Sequence, residues 1–453
     1  MSLTAAVQDL LNRGDIPWKK VIVGLTLGQF AFETYLSYRQ YRKLSEAVTP
    51  REIEGLIDEE TMEKSRTYSK AKLRFGLVSD LFSLGTNLAV IKYDLLPRIW
   101  NAAVAVGQHM PAFLAPASTI SQSIYFALAI HLLTTLQSLP LGYYQNFVLE
   151  EKFGFNKSTV GLWVTDTVKS FLLVTGFLVP VSYLFLKIID VFSTGFISYV
   201  CTLLLVLQIV LVALQPLLSA IFNTFTPLED GELKDAIVAL SKRVNFPLEK
   251  ILVSDGSRRS AHSNAYFTGL PFLSKRIVLF DTLIKGSTVE EVVAVMCHEI
   301  GHWKLNHILQ RLLVSQATTL FTLTFFSALY VNTSLYEAFG FFVGPNPSSD
   351  SARVVVGTIP VFVGFLLFND VFQPANAALQ FIVNLLMQRQ ELQADEFAKK
   401  LGYQDAMGSA LILLARENLG SPDLDKLYSA YHSSHPSMVE RLRALQYKPA
   451  KKQ

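Results

Sequence analysis

The sequence predicts a mainly α-helical membrane protein, with about seven transmembrane helices and a soluble part that contains a small sheet. Three observations carry this. Of 453 residues, 51% are hydrophobic and only 17% are charged, against about a quarter charged in a soluble protein. Several apolar runs approach the roughly 20 residues that a helix needs to cross the hydrocarbon core. Between the runs, connections rich in Lys and Arg alternate with poor ones, as successive crossings require.

The first run, Val21–Tyr38, follows Trp18-Lys19-Lys20 and is long enough to read as a retained span rather than a cleaved signal. Ile124–Leu141, Ser170–Ile188, Phe196–Ile221 and Leu312–Tyr330 are equally clean. Phe75–Leu96 is weaker because it carries Asp80, Lys92 and Asp94, and Val354–Asn369 is short before Asp370. Basic residues from Arg39 to Arg74 crowd the first connection, whereas Arg98 stands alone in the second and Arg353 in the sixth. The charge bias places the N-terminus in the lumen and the C-terminus in the cytosol, against the minor contribution of Lys19 and Lys20. The expected organisation is a five-span membrane region over 1–222, a cytosolic segment over 223–307, a two-span hairpin over 308–375 and a second cytosolic segment over 376–453. Ser421-Pro422-Asp423 and His435-Pro436 break the last of these.

Composition also excludes. A net charge of +3 with no basic stripe argues against nucleic acid as a partner. Two cysteines, Cys201 and Cys297, cannot form a disulfide framework and suit a reducing compartment.

His298-Glu299-Ile300-Gly301-His302 fits H-E-x-x-H. Ser287 with Glu290 reads as a capping box that starts this helix, and Val289, Val292, Val293, Met296 and Ile300 form its apolar face. Two imidazoles four residues apart project from one helix face and supply two corners of a tetrahedral Zn²⁺. Glu299 lies between them, placed to take a proton from water as general base. A catalytic zinc needs a third protein ligand, and Glu391, in the charged helical stretch Arg389–Glu396, is the candidate. Asp395, four residues on, would accept a hydrogen bond from a ligating imidazole. The bland alternative is a solvated charged helix with incidental histidines. The pairing of the two motifs outweighs it. Cys297 is assigned to packing, and His262, His307 and His432 are read as non-ligands. Because His302 shortly precedes the Leu312 span, the metal would lie roughly 15 Å from the apolar core. The soluble part is therefore expected to be a zincin-like metalloprotease domain at the membrane surface.

Taken together, these features resemble the CaaX prenyl protease family of integral-membrane zinc endopeptidases. The resemblance spans nearly the whole chain: the seven runs, His298-Glu299-x-x-His302, Glu391 with Asp395, His435-Pro436-Ser437-x-x-x-Arg441, and Asn264-Ala265-Tyr266-Phe267-Thr268-Gly269. It implies helices arranged around a water-filled chamber, with one Zn²⁺ per chain at the cytosolic end. Substrates would be farnesylated or otherwise prenylated peptides and proteins that lose their last three residues, with a second, N-terminal cut in a-factor-like precursors. By the same resemblance His435 would donate to the oxyanion and Arg441 would grip substrate backbone or carboxylate. Asn264 and Ala265 would lie on an edge strand that pairs with an extended peptide. The implied location is the endoplasmic reticulum membrane and the inner nuclear membrane. We expect a monomer in contact with lipid.

Polar residues within the apolar runs (Glu33, Asp80, His131, Gln208, Gln215, Asn369 and Asp370) fit either a watery interior or interhelical hydrogen bonds. Asn332-Thr333-Ser334 is a glycosylation sequon tight against a span, and the lysines of Ala450-Lys451-Lys452-Gln453 sit one place too near the end for dilysine retrieval. Three alternatives stand beside the family reading. HtpX-like quality-control proteases share the zinc motifs but lack most of the long N-terminal region. A site-two-type protease would bury its metal helix in the bilayer, which Glu290, Glu291 and Lys304 oppose. A non-enzymatic transporter or scaffold would not need every ligand intact.

Overall fold

The structure, a computed structural model, describes residues 11, 15–46, 48–112, 114–192, 195–269, 274–343, 354–356, 358–421 and 423–448. Arg353, Pro422 and the terminal 450–453 stretch lie outside the described residues.

The membrane region is built from α1 (Trp18–Ser45), α2 (Glu59–Lys92), α3 (Leu95–Gln108), α4 (Thr119–Tyr144), α5 (Val160–Phe192) and α6 (Phe196–Ala220). α4 runs on as a π-helical turn, Gln145–Glu150. Among the described residues, four helices are long and apolar enough to cross a membrane: Thr119–Glu150, Val160–Phe192, Phe196–Ala220 and His307–Leu329. The run expected at Val21–Tyr38 is helical but falls outside this set, because Gln29, Glu33 and Ser37 dilute it. Phe75–Leu96 is helical to Lys92, where Asp94 turns the chain in a left-handed conformation (φ 50°) and pairs with Lys19.

The soluble segment begins with β1 (Phe225–Pro227), α7 (Glu232–Val244), β2 (Leu248–Ser254), β3 (Ala265–Thr268) and β4 (Lys275–Phe280). The sheet order is β1-β2-β4-β3, with β2 and β4 parallel and the outer strands antiparallel, so β3 is an edge. Then come α8 (Asp281–Gly286), α9 (Val289–Lys304), α10 (His307–Leu329) and α11 (Thr333–Ala338). β5 (Phe341–Val343) and β6 (Val354–Val356) pair in parallel. The run read as a span from Val354 therefore starts as a strand, which suits three β-branched valines. Helix begins only after Pro360, whose fixed φ suits a helix start. α12 (Val361–Lys400), α13 (Gln404–Glu417), α14 (Lys426–His432) and α15 (Met438–Leu445) complete the chain.

Alternating helix directions gather Trp18, Ile91, Phe126, Ile189, Phe196, Phe326 and Phe368 into one apolar cluster at a common end, closed by Trp100, Tyr336 and Phe341. That end carries the sequon. Asn332 is fully buried, its side-chain amide donating to the Leu11 carbonyl and its oxygen capping α11, so the folded chain offers no glycosylation acceptor there. At the opposite end a second core of Ile237, Leu240, Ile277, Leu279, Val292, Met296, Cys297 and Ile300 joins α7, the sheet and α9. Cys297 is buried within it, as packing requires, and burial pushes its thiol up to about 12.

Candidate metal centre

α9 starts one residue later than the sequence indicates. Thr288 caps it, its side chain accepting from the Glu291 amide while the Glu291 carboxylate accepts from the Thr288 amide. Ser287 instead closes α8, its amide donating to the Leu283 carbonyl. The helix then presents His298 and His302, both buried, toward α12.

α12 is 40 residues long, about 60 Å at 1.5 Å per residue. It therefore links the apolar cluster at one end to the metal site at the other. Asn384, Gln388, Glu391 and Asp395 recur at helical spacing along one stripe of it. Asn384 donates to the Tyr431 carbonyl, and Gln388 donates to the carbonyls of Ser429 and Ser433 at 2.9 and 2.8 Å. These bonds pin the segment that leads to His435.

The crossing of α9 and α12 depends on Gly301. A Cβ there would lie 3.1 Å from Phe397 Cδ1 and 3.3 Å from Ala394 Cα. Alanine would regain about 1 kcal/mol of helix propensity, offsetting much of that contact. Gly301→Val brings further bulk and should cost about 1–3 kcal/mol. The expected result is a lowered melting temperature together with weakened zinc retention. Unchanged values for both would show that the crossing tolerates separation.

Three ligand side chains converge. His298 Nε2 lies 3.2 Å from His302 Nε2. Glu391 Oε2 is 3.3 Å from His298 Nε2, and Oε1 is 3.3 Å from His302 Nε2. A tetrahedral ion with bonds of about 2.0–2.1 Å spaces its ligands about 3.3–3.4 Å apart. Among the described residues this is the one His/Cys/Asp/Glu group with metal-holding geometry. Glu391 Oε2 is buried and has no hydrogen-bond partner, an orphan aimed into the cluster. The electrostatics agree. Burial works against Glu391, yet the facing His298 and His302 hold its carboxyl well below the ordinary range. Burial likewise opposes charge on His298, but Asp395 and Glu391 push it up to about 9. Both shifts mark a donor set that favours positive charge at its centre. The residues fit a divalent metal.

Asp395 sits behind His298, Oδ1 at 2.8 Å from Nδ1, and accepts from Arg441 Nε and Nη2 at 2.8 and 2.7 Å. Burial raises its pKa, but Arg441 wins and brings it to about 2. Arg441 thus lies in the site rather than on a solvated helix, with its side chain only 11% exposed. α15, which carries it, begins at a Ser437–Glu440 capping box directly after His435-Pro436. His435 Nε2 approaches Glu391 Oε2 at 3.5 Å while its side chain stays 60% exposed, and Ser434 Oγ meets Nδ1 at 2.9 Å. Glu299, half-buried between the ligands, has its carboxyl pushed up by burial. Asn264 precedes edge strand β3 and Ala265 opens it; the Asn264 carbonyl accepts from the Phe280 amide.

Three site residues escape sequence reasoning: His307 and Arg311 on α10, and Gln393 on α12. Arg311 donates to Gln390 at 2.7 Å and to Glu391 Oε1 at 3.4 Å, and His307 touches His302. Only the polarity of Arg311 at the start of an apolar run could have flagged it.

Residues 38–224 match the family model for the CAAX prenyl protease N-terminal region, with five membrane helices, and residues 227–448 match peptidase family M48. CAAX prenyl protease 1 of Saccharomyces cerevisiae is 49% identical over 98% of this chain and 99% of its own length. The Homo sapiens CAAX prenyl protease 1 homolog is 36% identical over 95% of this chain and 96% of its own. The crystal structure of S. mikatae Ste24p superposes with a TM-score of 0.91 at 50% identity, covering 95% of this chain and all of that one. With a buried two-histidine, one-glutamate cluster at the base of a multi-helix membrane region, the chain belongs to the CAAX prenyl protease family, membrane-embedded metalloproteases of peptidase family M48.

Proposed function

We propose that this protein is a zinc endopeptidase of the endoplasmic reticulum membrane that removes the three C-terminal residues of prenylated CaaX proteins. The single observation that carries the reading is the convergence of His298, His302 and Glu391, whose ligand atoms lie within 4.8 Å of one another, immediately before α10 enters its apolar run. The name and near-complete coverage of the yeast relative support the substrate class.

When bound, zinc supplies a Lewis acid that polarises the scissile carbonyl and activates water. Glu299 takes the proton from water and returns it to the leaving amine; its burial, which favours the protonated form, suits the second half of that task. His435, exposed and beside Glu391, is placed to donate to the oxyanion. Arg441 holds Asp395, which orients His298. This fixes the ligand rather than leaving the guanidinium free for substrate. Edge strand β3, with Asn264 and Ala265, would read an extended peptide through its backbone. Backbone reading of that kind accommodates a second, N-terminal cut in a-factor-like precursors.

The membrane windows of the four apolar helices are only 6–22% buried within the protein. We read the inner faces of these helices as lining a water-filled chamber. Glu33 and Asp80 line a cavity of about 510 Å³ between α1, α2 and the C-terminal segment. Elsewhere Gln208 of α6 bonds Ser315 and Gln316 of α10, and Gln215 of α6 accepts from Thr268 of strand β3. Seven spans, a lumenal N-terminus, a cytosolic site and a monomeric state complete the reading.

Purified protein given a farnesylated CaaX peptide should release its C-terminal tripeptide, read by mass spectrometry, and should cut the unprenylated peptide more slowly. A farnesylated peptide left intact at that bond would overturn the substrate assignment.

A further inference from the structure

The turn between α9 and α10 is two residues long, Leu305 and Asn306, and Asn306 adopts a left-handed conformation (φ 57°), which asparagine tolerates better than most residues. That reversal folds His307, the first residue of α10, back under His302. His307 is 1% exposed. Its Nδ1 lies 2.8 Å from His302 Nδ1, and its Nε2 lies 3.1 Å from Gln393 Oε1, on α12.

Two facing imidazole nitrogens allow one assignment once His302 turns Nε2 to the ligand cluster. Nε2 must then keep its lone pair, so neutral His302 carries its proton on Nδ1. That N–H donates to His307 Nδ1, which must be bare. The His307 proton therefore sits on Nε2, where the Gln393 oxygen accepts it. Each donor meets an acceptor, and the amide oxygen of Gln393 terminates the chain.

We propose that His307, held by Gln393, is the positioning residue that fixes the tautomer and ring orientation of His302, as Asp395, held by Arg441, does for His298. The two supports differ in charge. His298 leans on a carboxylate neutralised by Arg441, whereas His302 leans on a neutral imidazole. Removing His307 therefore costs orientation while leaving the charge of the site unchanged. The inference rests on the zinc reading above.

The test is zinc affinity of the purified full-length protein, measured by competition with a chromogenic chelator. His307→Leu should bind zinc roughly 10–100-fold more weakly, the usual effect of losing an outer partner of a ligating histidine. His307→Gln offers an amide oxygen as acceptor and should recover most of that loss. Gln393→Met should weaken binding in the same direction by a smaller factor. His307→Leu at wild-type affinity would overturn the proposal, as would a His307→Gln no better than His307→Leu, since both mean that His307 merely fills space. Should His307→Leu fail to fold, Gln393→Met decides: wild-type affinity there overturns the proposal, weakened affinity sustains it. A wild-type protein that binds no zinc would instead sink the metal reading itself, a result distinct from every variant outcome.

Discussion

Glu299→Gln should keep a full complement of zinc and lose about 10²–10⁴-fold in turnover of a farnesylated CaaX peptide, the range for a positioned general acid–base. The substitution is nearly isosteric and leaves all three ligand atoms in place. What it removes is an acceptor for the water proton and a donor for the departing amine. Glu299 is suited to both because it lies half-buried between His298 and His302, where burial favours the protonated carboxyl while the two imidazoles favour the ionised one. Zinc content by elemental analysis and turnover by tripeptide release separate the two properties. Near wild-type turnover with zinc retained would remove Glu299 from the chemistry. Loss of zinc would make it a ligand-shell residue.

Much of this site was legible because helical spacing carries it. Two histidines four apart, and Glu391 and Asp395 four apart, specify two faces, and Gly301 between the histidines permits the faces to meet at Phe397 and Ala394. Among the described residues, the four runs that form helices long and apolar enough to span were legible for the same reason, since length and composition suffice. The sequence failed where conformation rather than periodicity decides. The Val354 run has a helix-like hydrophobicity, but β-branched residues ahead of Pro360 pair with β5 instead. Ser287 and Thr288 are equally good caps by type, and the difference lay in where short helix α8 ends. His307 was read as a non-ligand, and its contact with His302 depends on a left-handed turn at Asn306 that five residues of sequence separation conceal. Arg441 was read as gripping substrate, and its pairing with Asp395 was hidden because the two lie 46 positions apart.

Glu391→Ala should weaken zinc binding by more than roughly 100-fold, above the ceiling for an outer-partner change. It should do so without unfolding the metal-free protein. The crossing of α9 and α12 is held by packing through Gly301 and by the Asp395 contacts to Arg441 and His298, none of which needs the Glu391 carboxylate. The two effects separate in a thermal melt. Saturating zinc raises the stability of the wild type through preferential binding to the folded state, by about 2.7 kcal/mol at one hundred times the dissociation constant. In Glu391→Ala that increment should vanish at the same zinc concentration while the metal-free midpoint stays close to wild type. A variant that melts early without zinc would make Glu391 a structural residue. One that keeps the zinc-dependent increment would place the third ligand elsewhere, and His435, with Nε2 at 3.5 Å from Glu391 Oε2, is the residue near enough to replace it.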